Sequence, residues 1–370
     1  MKIVVISNSA APSKNASSLQ TAKLCEALSR IGHKVNLILP NTGYRDINYF
    51  KFYDIRNKFK IKRIKYFKNF PVGLNYYLYS LFSILISNFK KQDLYITRNF
   101  FVSFILCFLN KKHILEVHDD IQIEGRIIKF LIKSLKYLNN KNIIKIITTT
   151  KSLKRKYCNA YSVSKKKILV LHNASSIKSV FKKYVKIKKN FNIGYFGSIY
   201  KSRGLEMLIK LSKLDKNNRY FIYGGNKEEM KNLRSNYSSK NLFFHEYIPY
   251  SKIKRKLDKI DICLLPYTNK ITVSGNVGDI ANYTSPLKIF DYMITGKLII
   301  CSNLKVLREV LRDDVNSILI DKKQSQSNWL KEIKKIKSDL KRFNRLRFNA
   351  YKFANEKNFI WRAKNLMSSI

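Results

Sequence analysis

Residues 191–208 read FNIGYFGSIYKSRGLEML. An apolar, aromatic run ends at Gly197, a short loop carries Lys201 and Arg203, and Gly204 opens a helix-period pattern. Strand, turn and helix in this order form one step of a parallel α/β layer. The alternation continues downstream. It predicts strands at Tyr220–Tyr223, Leu242–Phe244, Ile260–Leu265, Leu298–Cys301 and Ser317–Ile320. It predicts helices over Leu287–Thr295 and Lys305–Arg312, and a helical Asn328–Lys364 with a turn near Asn355–Asn358.

Upstream the same logic repeats. Ile3–Ile6 is all apolar, as for a strand covered on both faces, and Val35–Leu39 is a second strand. Leu19, Ala22, Ala27, Leu28 and Ile31 recur at helical spacing between them, and Gly32 ends that helix. Asp93–Thr97, His113–Val117, Ile143–Thr148 and Ile168–Leu171 read as further strands. The polar, basic Ser175–Asn190 reads as a linker. The expected fold class is therefore α/β with two tandem domains: 1–175, a linker over 176–190, and 191–345, with 346–370 a helix returning to the first domain. A ligand cleft is expected where the carboxyl edges of two such sheets face each other.

The 370 residues suffice for two cores, and 45% hydrophobic residues exclude a disordered chain. Lys and Arg number 73 against 24 Asp and Glu, a net charge of +49. That balance has two readings, a composition-wide drift toward lysine and an anionic partner. The five cysteines lack CxxC spacing and are odd in number, so a disulfide framework or zinc site is not expected and a reducing cytoplasm fits. The apolar run KIVVI is too short for a signal peptide. No run reaches the ~18 apolar residues of a membrane span. Leu74–Ile86 and Phe100–Leu109 read as buried helices or interfacial segments. Tyr49–Phe70 interleaves eight basic residues with aromatics. It reads either as a face that docks on an anionic membrane or as a lysine-rich meander with its aromatics turned inward.

Two segments carry candidate chemistry. At Gly194–Leu208, backbone N–H groups at a helix start favour anions, the Gly197-Ser198 pair permits close approach, and Arg203 or Lys201 can neutralise a diphosphate. An ordinary strand–helix turn with solvated cations is the alternative. At Thr284–Leu311, Ser285 is expected as helix cap and Pro286 as first helical residue, giving a second anion-favouring start. Asp291 in the second turn could accept from a ribose diol or be a solvated acid. His33, His113 and His245 read as structural, surface or strand residues, and His172-Asn173 lies at the domain junction. Glu116, His118, Asp119 and Asp120 crowd one strand end, but neighbours on such a turn point in different directions, so no metal is expected.

The succession of these motifs resembles glycosyltransferase family 4. It comprises MKIVVISNSAAPSKNASSLQTAKLCEALSRIGHKV, LYITRNFF, ILEVHDD, VLHNAS, IGYFGSIYKSRGLEMLI, YGG, FFHEYIPYSKI, DICLLPY and SPLKIFDYMITGKLIICSNLKVLREVL. The likeness runs through about residues 1–320. It implies a GT-B fold, two Rossmann-like domains facing across a cleft. It implies transfer from a nucleoside diphosphate sugar with retention and without metal or other cofactor. It further implies that Arg203 and Lys201 hold the donor diphosphate, that Gly197 and Ser198 adjoin it, and that Ser285, Pro286 and Leu287 present backbone to the phosphates. Asp291 matches a ribose-binding Glu one CH₂ longer. His118 matches a histidine at the donor sugar, and Tyr247, Ile248 and Pro249 lie where the base is held.

The sequence also departs from the pattern. Tyr283 stands where many members carry a second Glu, Ser198 where an Arg is usual, and Ala10-Ala11 and Ala16-Ser17-Ser18 where a Gly-Gly pair is common. Ser274–Asn282 has no counterpart with known chemistry. The expected partners are a nucleotide sugar, a glycan or lipid-linked acceptor of cell-surface polysaccharide assembly, and an anionic membrane surface on the cytoplasmic side. No specific nucleic acid is expected. A basic nucleic-acid or membrane-surface binding protein, or a transferase without turnover, are the other readings.

Overall fold

The computed structural model describes residues 1–42, 47–65, 71–88, 92–121, 124–182, 190–199, 201–268, 270–272, 279–321 and 325–370. The chain divides into two compact units. One joins Met1–His172 to Phe359–Ile370, and the other is Asn173–Asn358.

The first unit is built on seven parallel strands: β1 (Lys2–Ile6), β2 (Lys34–Pro40), β3 (Lys60–Ile64), β4 (Leu94–Thr97), β5 (His113–Val117), β6 (Ile143–Thr148) and β7 (Ile168–Val170). Their order across the sheet is β3-β2-β1-β4-β5-β6-β7, so the chain reverses direction between β1 and β4. Val4, Ile6, Ile38, Tyr95, Val102 and Leu106 form part of one core layer. The helix Ala16–Arg30 comes after β1, as its apolar period predicts.

β3 falls inside the basic, aromatic stretch and was not expected as a strand. Lys60, Lys62 and Arg63 are exposed on it and only Ile64 is buried, so its apolar signal is weak. Such charge suits an edge strand, where it discourages further pairing. Of the two readings of Tyr49–Phe70, the described part agrees with the second. Tyr49, Phe52, Tyr53 and Phe59 are buried, with Tyr49 edge-on to Tyr53 at 5.0 Å and to Phe59 at 6.2 Å. These rings are spent on the core and cannot enter a membrane interface. Residues 66–70 lie outside the described residues.

The second unit holds six parallel strands: β8 (Asn192–Phe196), β9 (Arg219–Tyr223), β10 (Leu242–His245), β11 (Ile262–Leu265), β12 (Leu298–Ser302) and β13 (Ile318–Ile320). The order β10-β9-β8-β11-β12-β13 is that of a Rossmann sheet, with its switch point between β8 and β11. Phe191, Ile193, Tyr195, Tyr220, Ile222 and Phe343 fill one side, and Phe196, Cys263, Phe290, Tyr292, Ile299 and Cys301 the other. The helices Gln326–Ser338 and Leu340–Glu356 belong to this unit, and Phe359–Met367 to the first.

Two local expectations are corrected. Pro286, not Ser285, is the cap of the helix Leu287–Ile294. Its ψ of 123° keeps it extended, and the preceding Ser285 carbonyl accepts Asn173 Nδ2 at 2.5 Å. Lys305–Arg312 is not a helix but a single 3₁₀ turn, Leu307–Glu309. Leu304, Val306, Leu307, Val310 and Leu311 are all buried there.

Candidate functional site

β8 ends at the switch point of the second unit, and two glycines shape the loop beyond it. Gly197 has φ +136° and donates its N–H to Tyr223 O at 2.8 Å. A β-carbon there would lie 2.3 Å from Lys288 Nζ, so the ammonium rests directly on the Gly197 backbone. Gly204 has φ +73°, and a β-carbon there would lie 1.7 Å from Pro266 O. Only glycine therefore lets the turn Lys201–Arg203 press against the end of β11.

That approach brings two cations together. Arg203 donates from Nη2 to Thr272 O at 3.0 Å and lies 5.5 Å from the Tyr267 ring centre. Its Nε is buried without a hydrogen-bond partner among the described residues. Lys288 Nζ sits 4.2 Å from the Tyr195 ring centre and 5.8 Å from that of Tyr267. Burial, then the Arg203 charge, pushes the Lys288 ammonium well below the ordinary lysine range. Neither cation has a carboxylate partner among the described residues. Two clustered cations with an orphaned guanidinium N–H are costly alone and favourable around an anion.

Lys288 also stands in the first turn of Leu287–Ile294, a helix without a side-chain cap. Its N-terminal N–H groups are turned to the same anion-favouring use. Deeper in that helix, the buried Asp291 accepts from Ser175 Oγ at 2.5 Å and from Tyr250 Oη at 3.1 Å. Ser176 Oγ donates to Tyr250 Oη at 3.2 Å, so the carboxylate is held by a chain of hydroxyls. Asp291 is thus not the solvated acid of the alternative reading.

The other candidates of the second unit are more loosely placed. Ser198 is exposed, and its carbonyl accepts Tyr195 Oη at 2.7 Å. Ser285, Pro286 and Leu287 are half-buried at the helix start. Tyr247, Ile248 and Pro249 come after β10, and Tyr247 N–H donates to Gly225 O at 3.0 Å. Lys201 lies on the 3₁₀ turn with Arg203. Of Ser274–Asn282, residues 274–278 lie outside the described residues.

His118 belongs to the first unit, just past β5. Its Nε2 donates to Glu116 Oε1 at 2.8 Å, and the same oxygen accepts Arg362 Nη2 at 2.6 Å. Burial, then the Arg98 charge, brings the imidazole down to about 4, against the opposing pull of Glu116. At neutral pH His118 is a neutral hydrogen-bonding ring. Arg98, after β4, donates to Gln20 Oε1 at 3.2 Å. Asp120 turns away to Tyr161 Oη and to Lys156 at 3.4 Å, so the acids of this strand end do diverge. Among the described residues, no group of three His, Cys, Asp or Glu is placed to hold a metal.

The sequence reading missed Lys288 and Arg362. One signal was present for Lys288: a lysine in the first turn of a helix opposes the helix dipole, and such a misfit invites a compensating anion.

Residues 176–353 match the family model described as Glycosyl transferases group 1, nearly the whole second unit. No curated protein matches the sequence. Several solved structures share the fold. HepE of Anabaena, in complex with UDP-glucose, is 14% identical with a TM-score of 0.71, over 100% of both chains. Sucrose-phosphate synthase of Thermosynechococcus elongatus is 12% identical with a TM-score of 0.74, over 100% of this chain and 98% of the other. A glycosyltransferase of Rickettsia africae is 14% identical with a TM-score of 0.67, over 100% and 98%. The chain therefore has the α/β architecture of the GT-B fold, and its second unit is similar to the group 1 glycosyltransferases.

Proposed function

We propose that this protein transfers a sugar from a nucleoside diphosphate sugar to a glycan or lipid-linked acceptor. The observation that carries the reading is the pairing of Arg203 with Lys288 beside Gly197 and an uncapped helix start. Two cations at a helix start suit a diphosphate, whose charge grows as the sugar departs. UDP is the proposed nucleotide, because the similar HepE structure holds UDP-glucose.

Asp291 is the proposed ribose acceptor. Ser175 and Tyr250 fix the direction of its carboxylate. Tyr247, Ile248 and Pro249 are proposed to surround the base, and the neutral His118 to meet the transferred sugar. The buried thiols are not poised as nucleophiles: burial drives Cys25, Cys263 and Cys301 far up and Cys107 to about 12. Transfer with retention and without a metal then rests on positioning and on stabilising the leaving diphosphate.

The test is UDP release from a panel of UDP-sugars, with and without a lipid-linked acceptor extract. The reading expects slow release from one donor, stimulated by acceptor and lost in Arg203→Ala. Absence of release from any donor, together with no nucleotide binding, would leave a basic binding protein.

A further inference from the structure

The helix Val72–Asn88 has its polarity reversed. Its buried side includes Asn75, Ser80, Ser83 and Ser87 beside Tyr79 and Ile84. The serine hydroxyls are satisfied by carbonyls of the same helix, Ser80 by Tyr76 O at 2.6 Å, Ser83 by Ser80 O at 2.8 Å and Ser87 by Ile84 O at 2.8 Å. Asn99 Nδ2 secures Ser80 Oγ at 2.9 Å. The outer side carries Leu74, Leu81, Phe82 and Leu85, the last 59% exposed. Positions 74, 81 and 85 line up on one stripe of the helix. A helix facing water would arrange these residues the other way round.

The stripe does not end with this helix. The Tyr77 ring packs edge-on against Phe101 of the helix Phe100–Phe108 at 4.7 Å, and that helix ends in Phe108, 80% exposed. A β-carbon on Gly125 would lie 3.9 Å from the Tyr77 hydroxyl, which sets the helix Arg126–Lys133 beside the first. That third helix buries Ile128, Leu131 and Ile132 yet leaves Ile127 and Phe130 outside.

Charge selects the occupant. Val72–Asn88 and Phe100–Phe108 contain no charged residue, and Arg126–Lys133 carries Arg126, Lys129 and Lys133 with no acid. Apolar side chains bordered by cations, on a chain of +49, match an anionic lipid surface. No helix among the described residues is long and apolar enough to cross a membrane. We propose that this face of the first unit lies flat on an anionic bilayer. The outward Leu and Phe side chains enter the acyl boundary, and Arg126, Lys129 and Lys133 meet headgroup phosphates. This surface does not depend on the sugar-transfer reading, and its test does not use turnover.

The test is sedimentation of the full chain with phosphatidylcholine vesicles, with and without phosphatidylglycerol, at low and moderate salt. Wild type is expected to pellet with the anionic vesicles and to retain part of that binding at moderate salt. Leu81→Ser/Leu85→Ser, at exposed positions, should bind about tenfold more weakly or less at either salt. Arg126→Glu/Lys133→Glu should lose the preference for anionic vesicles. Thermal unfolding confirms that each variant is folded, and either pair alone decides the matter. No pelleting of the wild type with anionic vesicles, or wild-type binding by either variant, would overturn the proposal. Wild-type vesicle binding by the leucine pair, with a dimer dissolved in ultracentrifugation, would overturn it in favour of a face between two copies.

Discussion

The ammonium of Lys288 occupies the space that a β-carbon on Gly197 would need, 2.3 Å from that position. A residue at the end of the first strand of the second unit thus sets where a cation from a helix 91 positions later can stand. Gly197→Ala is expected to displace the ammonium and to strain a backbone at φ +136°. Such strain costs about 1–3 kcal/mol. The variant should unfold at a lower temperature and bind pyrophosphate about tenfold or more weakly. Calorimetric titration checks the second effect apart from the first.

Lys288 gives the site a pH dependence. Its ammonium, pushed down by burial and by Arg203, loses its proton at lower pH than an ordinary lysine. A bound diphosphate favours the protonated form and raises that pKa again. Affinity for pyrophosphate should therefore fall as pH rises through the free-state pKa of Lys288. Lys288→Arg, which stays charged, should flatten the fall. An unchanged slope in that variant would place the titration elsewhere.

The first unit should weaken in acid. Although burial alone would raise it, Glu116 is held far below the usual carboxylate range by Arg362, His118 and Arg98. Its contribution is present above the unfolded pKa and is lost as pH falls. His118 is lowered from 6.5 to about 4, so the unfolded chain binds a proton there first, and stability falls between those values. His113, also lowered to about 4 by burial, acts in the same direction. His118→Gln should remove one of these steps, up to about 3 kcal/mol of the acid loss. Chemical denaturation at successive pH values measures it.

Arg362 closes the first unit. From the helix Phe359–Met367 it donates to the carbonyls of Leu171 and His172 and to Glu116 at 2.6 Å. Arg362→Ala leaves Glu116 buried beside two lost carbonyl bonds. The expected cost is about 3–5 kcal/mol, measured by urea unfolding. Adding Glu116→Gln should recover part of it, because the uncompensated charge is then gone.

Elements were legible in the sequence where their signal is local. β1, β2, β8 and β12 are covered on both faces, so their residues form apolar runs that can be read without partners. β3 was hidden because an edge strand needs only Ile64 inside and spends its other positions on charge. Arg203 was legible from the glycine directly after it. Lys288 was not, because its place depends on Gly197 across the sheet. The contact between Glu116 and Arg362 spans 246 positions and leaves no spacing to read.

The most direct test of the donor site is thermal shift at moderate salt with UDP, GDP, ADP and inorganic pyrophosphate, in wild type, Arg203→Ala and Lys288→Ala. A nucleotide at ~100 times its dissociation constant should stabilise the fold by about 2.7 kcal/mol. The account predicts a shift selective for UDP, reduced in both variants. Equal shifts for every anion, unchanged in either variant, would contradict it.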